Sequence, residues 1–283
     1  MYNGGGDNME LDYIQRRDKT VLEKLTKDYV RIILNEYSNE ANPILKKRLL
    51  TLDNFSDLVH IKDTGTITVL ATKKGLFFPI EAYKVIKAIS HIPGYGRNPL
   101  HKTYSDGDRI NNNNTYETFI KHCIIKGMTP LDYFKEGLLR ECMHLCGGNG
   151  RYALFEGINE LKSRELAEKY DLELSCCGYP KEVKIALELQ EILGKDLMDK
   201  IEFEDPEEIY SLIQKEKGKE YADFYNLLNE SMNREFESYM RTSYSGVLSP
   251  MKKTKSYNKI DYSKSYQIID TFKKEHKNSF TNN

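Results

Sequence analysis

Apolar positions along the chain recur mostly at helical spacing. Leu22, Leu25, Tyr29 and Ile33 fall every three or four residues and predict an amphipathic helix over 21–37. A second, shorter helix is read over 43–52. The pattern changes over 59–71, where Thr66, Ile67, Thr68, Val69 and Leu70 are mostly β-branched. Lys73-Lys74-Gly75 then forms a turn before Leu76-Phe77-Phe78, so a hairpin is predicted, ended by Pro79. Helical spacing returns over 82–89 with Tyr83, Ile86 and Ile89 on one face. Residues 91–114 hold Pro93-Gly94, Gly96, Pro99, Asp106-Gly107 and four successive asparagines, and are read as a long irregular loop. A short helix over 116–125 follows, stopped by Gly127.

The clearest boundary is Thr129-Pro130, a capping hydroxyl followed by proline at the first helical position. That helix runs to about Cys146 and ends at Gly147-Gly148, and a second one follows as far as Tyr170. A loop over 171–180 carries Cys176, Cys177 and Tyr179, and Pro180 opens a helix to Leu193. Asp205-Pro206-Glu207-Glu208 combines a cap, a proline and first-turn acids, which predicts another helix start. The last strong helical pattern covers 221–239. From residue 245 apolar residues thin out and Lys252, Lys253, Lys255, Lys259 and Lys264 dominate, with room for a short helix over 266–272. The expected organisation is a flexible lead over 1–20, one domain over 21–244 and a polar basic tail over 245–283. The expected fold class is α+β: a mostly helical domain with a small β-sheet on its N-terminal side.

Composition narrows the function. The 283 residues are 39% hydrophobic and 30% charged, enough for a substantial core. A formal net charge of −1 offers no global field for nucleic acid, and none is expected as a partner. Five cysteines, two of them adjacent, do not form the framework of a secreted disulfide protein. No apolar run is long enough to span a bilayer, and MYNGGGDNMELDY lacks a signal-peptide core. A cytoplasmic location is therefore expected.

The chemistry concentrates in 137–170, GLLRECMHLCGGNGRYALFEGINELKSRELAEKY. The first helix carries Glu141 and His144 and the second carries Glu156 and Glu160, all candidates to face one small volume. Carboxylates and an imidazole suit a divalent cation such as zinc. In the pattern His-Glu-x-x-His, two histidines one helical turn apart bind zinc and the glutamate takes the proton of the metal-bound water. Here Arg140-Glu141-Cys142-Met143-His144 keeps every position but the first. Glu156 and Glu160 lie four residues apart and share a helical face.

On these residues the chain resembles the zincin metallopeptidases of the gluzincin type. The likeness covers about residues 127–197, including GMTPLDYFKEGLLRECMH, LFEGINELKSRELAEKY and CGYPKEV. It implies Glu141 as general base, His144 and Glu156 as zinc ligands, and Glu160 as the acid behind them, with Glu156 and Glu160 open to exchange of roles. It also implies Tyr179 at the oxyanion, zinc as cofactor, and a peptide or protein substrate held by strand addition at 66–70 or 76–78. Arg140 departs from the pattern at a ligand position. A guanidinium has no lone pair to offer a metal. It repels a dication by roughly twice the ~4 kcal/mol felt by unit charges ~4 Å apart at an effective dielectric near 20. Two functions follow as expectations: a zinc peptidase, or a non-hydrolytic zincin-like module that binds peptides or partners. Arg140 is expected to pair with Glu160, with Glu156 as a further partner, filling the space of the missing metal. His122 is the candidate replacement ligand. Cys142 and Cys146 are expected to be small buried hydrophobes, and Cys176-Cys177 is the alternative centre for metal or redox chemistry.

Overall fold

The computed structural model describes residues 5–64, 69–83, 129–147, 153–172, 174, 179–244 and 260–276. The predicted segments over 84–128, with His122, and the pair Cys176-Cys177 lie outside them. The described chain is mostly helical with one small sheet, an α+β composition. It divides into two compact units. The first is Met1–Glu36, Ile44–Cys146 and Glu173–Cys176; the second is Tyr37–Pro43, Gly147–Leu172 and Cys177–Asn283.

The first unit contains helices α1 (Gly5–Glu36) and α2 (Pro43–Leu50) and a single 3-10 turn at Phe55–Asp57. Strands β1 (Val59–Lys62), β2 (Leu70–Thr72) and β3 (Gly75–Pro79) follow, and then helix α3 (Pro130–Cys146). Where the sequence predicts a flexible lead, α1 already begins at Gly5. Its buried stripe, Leu22, Tyr29, Val30, Ile33 and Leu34, packs on α3 and β1.

The sheet runs in the order β1-β3-β2. β2 and β3 form the predicted hairpin, antiparallel, with Thr72 opposite Gly75 across the Lys73-Lys74 turn. β1 pairs with β3 in parallel, Val59 opposite Leu76. The region from residue 59 to 72 thus holds two separate strands, β1 and β2, and the central strand of the sheet is β3. Gly75 is required there: its φ is +129°, and an added Cβ would sit 2.5 Å from the Leu58 carbonyl oxygen. Phe78 of β3 meets Phe134 of α3 edge-on, with ring centroids 5.2 Å apart. Tyr83 donates to the buried carboxylate of Asp18 at 3.1 Å, fixing the chain after β3 to α1.

The second unit is helical: α4 (Ala153–Tyr170), α5 (Pro180–Leu193), α6 (Lys195–Phe203), α7 (Ile209–Lys217), α8 (Lys219–Tyr244) and α9 (Ser263–Glu275). Pro180 opens α5 as predicted, whereas the Asp205-Pro206 signal precedes a turn and α7 begins at Ile209. The core joins Leu154 and Ile158 of α4, Ile185 and Leu189 of α5, Met198 and Ile201 of α6, and Tyr225 and Leu228 of α8. Ile260, Tyr262, Ile269 and Phe272 belong to the same core. The expected basic tail therefore contains a packed helix, longer than the short segment read at 266–272.

Candidate functional site

Helix α3 is started by the signal the sequence announces. The Thr129 hydroxyl accepts from the Asp132 N–H at 3.2 Å, while the Asp132 carboxylate accepts the Thr129 N–H at 3.0 Å and its hydroxyl at 2.6 Å. This reciprocal box satisfies donors at the helix start that have no partner within the helix. Burial works to raise the Asp132 carboxyl, but the bonds from Thr129 and the nearby Lys135 outweigh it and hold the carboxyl below its ordinary value. Asp132→Ala is expected to lower stability by about 1 kcal/mol in thermal melts. Because the folded carboxyl is depressed, this contribution is complete above the unfolded value near 3.8 and fades as pH falls through the folded one. A parent–variant gap unchanged at acid pH would reject the capping role.

From this fixed start α3 buries Phe134, Leu138, Leu139, Cys142, Met143 and Cys146 against α1, β2 and β3. Glu141 lies on the buried side, 5% exposed. One carboxylate oxygen accepts from the Arg140 guanidinium at 2.7 Å, and the other accepts the Ala71 N–H at 3.2 Å. Among the described residues Ala71 sits on an edge strand, β2. Its opposite number, Leu76, donates its N–H to the Leu58 carbonyl on the β1 side. In an antiparallel ladder both members of such a pair point away from the shared seam, so the Ala71 N–H faces outward from the sheet. Glu141 is the acceptor that covers this open donor.

His144 is half-buried one turn along α3. Cys142 is fully buried, and burial, reinforced by Cys146 and Glu141, pushes its thiol well above the ordinary range. Both α3 cysteines are buried, as expected, and neither is in a disulfide.

In the second unit, Glu156 is half-buried in the first turn of α4, and Glu160 is 1% exposed. One Glu160 oxygen accepts from Arg164 Nε at 3.2 Å and Nη2 at 3.3 Å. Arg164, which the spacing places four residues after Glu160, is thus a partner of that carboxylate, a pairing not expected from the motif. Its signal was present, since a glutamate followed four residues later by arginine is a helical ion-pair spacing. Tyr179 is half-buried immediately before α5, where its carbonyl oxygen accepts the Val183 N–H at 2.9 Å.

The structure thus joins Arg140 to Glu141, and Glu160 to Arg164. Among the described residues no group of three or more His, Cys, Asp or Glu side chains is arranged to hold a metal ion. Position 140 supplies a cation where the zinc pattern has a ligand, and the Glu141 carboxylate is committed to that cation and to a backbone N–H. Strand addition at 76–78 is excluded, because β3 is paired on both sides. No family model matches the sequence, and no curated protein or solved structure matches it.

Proposed function

We propose that the chain is a zincin-like module that binds peptide or protein partners without hydrolysing them. The carrying observation is the double engagement of Glu141 by Arg140 and Ala71. A glutamate acting as general base must offer an oxygen to a water and pass the proton on. At 5% exposure, with one oxygen on a guanidinium and the other on an amide, Glu141 serves as a fastener between α3 and β2. The motif thus retains the residue and uses it for another purpose.

Partner binding then rests on the β2 edge, the described part of the hairpin that can still accept a strand. A peptide adding there takes the Ala71 N–H and displaces Glu141 from it. Arg140 holds the displaced carboxylate, so an unpaired buried charge is not left behind. Glu141→Gln weakens that hold and makes the edge donor easier to reach.

The test combines elemental analysis with peptidase and binding assays on a peptide library. Expected are no stoichiometric zinc and no chelator-sensitive turnover. Extended peptides should bind, and bind more tightly to Glu141→Gln than to the parent. One tightly held zinc per chain with chelator-sensitive cleavage would overturn this reading in favour of the peptidase.

A further inference from the structure

Helices α8 and α9 run antiparallel. Glu220 near the start of α8 meets His276 just beyond α9, and Glu235 farther along α8 meets Ser265 in the first turn of α9. Between them lies a groove of about 890 Å³. Its lining follows α9 from Asp261 to Glu275. At 1.5 Å per helical residue, that makes it about 20 Å long. The apolar part is formed by the stacked rings of Phe224 and Phe272, 4.1 Å apart, with Leu227 and Ile268 beside them. Leu227, also in the lining, is 55% exposed and offers an accessible aliphatic surface.

Among the described residues the rim is one-signed: six carboxylates line the groove against two cations, Arg234 and Lys264. The chain already answers several of them. Glu230 pairs with Arg234, Asp223 with Lys219 and Glu220 with His276. An acidic surplus remains, in a protein whose net charge is only −1.

We infer that this groove docks a cationic amphipathic helix of a partner protein. Three features select that occupant. The walls are helices, whose backbone groups are spent on their own hydrogen bonds, so an extended segment would find no ladder to join. The length of about 20 Å suits three to four turns of a third helix packed between two others. The apolar floor takes leucine-like anchors at i, i+3, i+4 and i+7, while the carboxylates receive lysines or arginines on the flanks. This surface is independent of the β2 edge and of the zincin reading.

The test is fluorescence anisotropy of the full chain with a labelled synthetic helix carrying leucines at those positions and lysines elsewhere. A control replaces the lysines with glutamates. The cationic peptide is expected to bind about tenfold or more tightly than the anionic one. Raising salt from about 50 to about 300 mM should weaken it, because exposed charge pairs are screened. Leu227→Lys should reduce its affinity about tenfold or more with unchanged circular dichroism, since the side chain is largely exposed. Glu275→Lys should lower it less and reduce the salt dependence. Absent binding, equal binding of both peptides, or undiminished binding by Leu227→Lys overturns the proposal. So does a dimer that Leu227→Lys dissolves, because a second copy would then be the occupant.

Discussion

Gly157→Ala is expected to destabilise the helical unit by about 3 kcal/mol or more, lowering its thermal midpoint by roughly 6–12 °C. Gly157 sits in α4 against the start of α5, and an added Cβ would lie 2.5 Å from the Glu182 carbonyl oxygen and 2.6 Å from its carbon. These are backbone atoms, so rotamer adjustment gives no relief. Nor can α5 retreat freely. The Glu182 side chain is 1% exposed and accepts the Tyr262 hydroxyl at 2.6 Å, which ties α5 to the chain entering α9. The helix-propensity gain of alanine over glycine, about 1 kcal/mol, is smaller than the cost of separating two packed helices. Gly137→Ala is the matched control: it also lies within a helix, but nothing stands within 4 Å of its added Cβ. It should stabilise by up to about 1 kcal/mol. Thermal and urea melts followed by circular dichroism compare the two. A Gly157→Ala midpoint equal to that of the parent would mean that α4 and α5 are not in this close approach.

Some local signals in the sequence transferred directly to the structure, and non-local ones did not. Thr129-Pro130 announces α3 because a helix start is decided by residues within one turn of it. Lys73-Lys74-Gly75 announces the hairpin for the same reason. The position of β3 between β1 and β2 depends on pairings across a longer separation, which no local pattern carries, so a strand-addition site was expected on a strand paired on both sides. The start of α1 was hidden by the glycine run, which has poor helix propensity, yet Gly5 and Gly6 open the helix that continues to Glu36. Around α9, the core residues Tyr262, Ile269 and Phe272 are interspersed with Ser263, Lys264, Ser265, Gln267, Asp270 and Thr271, so composition suggested a solvated tail where packing has a core helix. The candidate site divides in the same way. The i, i+4 pair of Glu160 and Arg164 is visible in sequence. The bond from Ala71 to Glu141 links residues 70 positions apart and emerges only once the sheet edge is in place.

Lys162→Ala should cost about 3–5 kcal/mol, the other large effect expected in this chain. Lys162 is fully buried, which is rare for an ammonium and tolerable only where acceptors surround it. Its nitrogen lies 2.8 Å from the Gln190 side-chain oxygen, 2.5 Å from Asp199 and 3.4 Å from Glu165. One cation thereby connects α4 to α5 and α6. Burial raises the Asp199 carboxyl above its ordinary value, and the neighbouring ammonium holds that rise down. Without Lys162, Asp199 loses its hydrogen-bonded cation and keeps only the lesser pull of Lys195, whereas Glu165 keeps Lys195 at 3.1 Å. Lys162→Met separates charge from volume, since a methionine fills the space of the lysine stem. Its deficit should be smaller than that of Lys162→Ala and should depend on pH. The folded carboxyl of Asp199 then stands still further above its unfolded value, so the folded state takes up a proton more readily as pH falls. Protonation removes the uncompensated charge, and the deficit of Lys162→Met should shrink between about pH 7 and about pH 5. Urea denaturation at the two pH values measures it. A deficit that is the same at both, or below about 1 kcal/mol at neutral pH, would show that the lysine is held by its aliphatic stem and not by its charge.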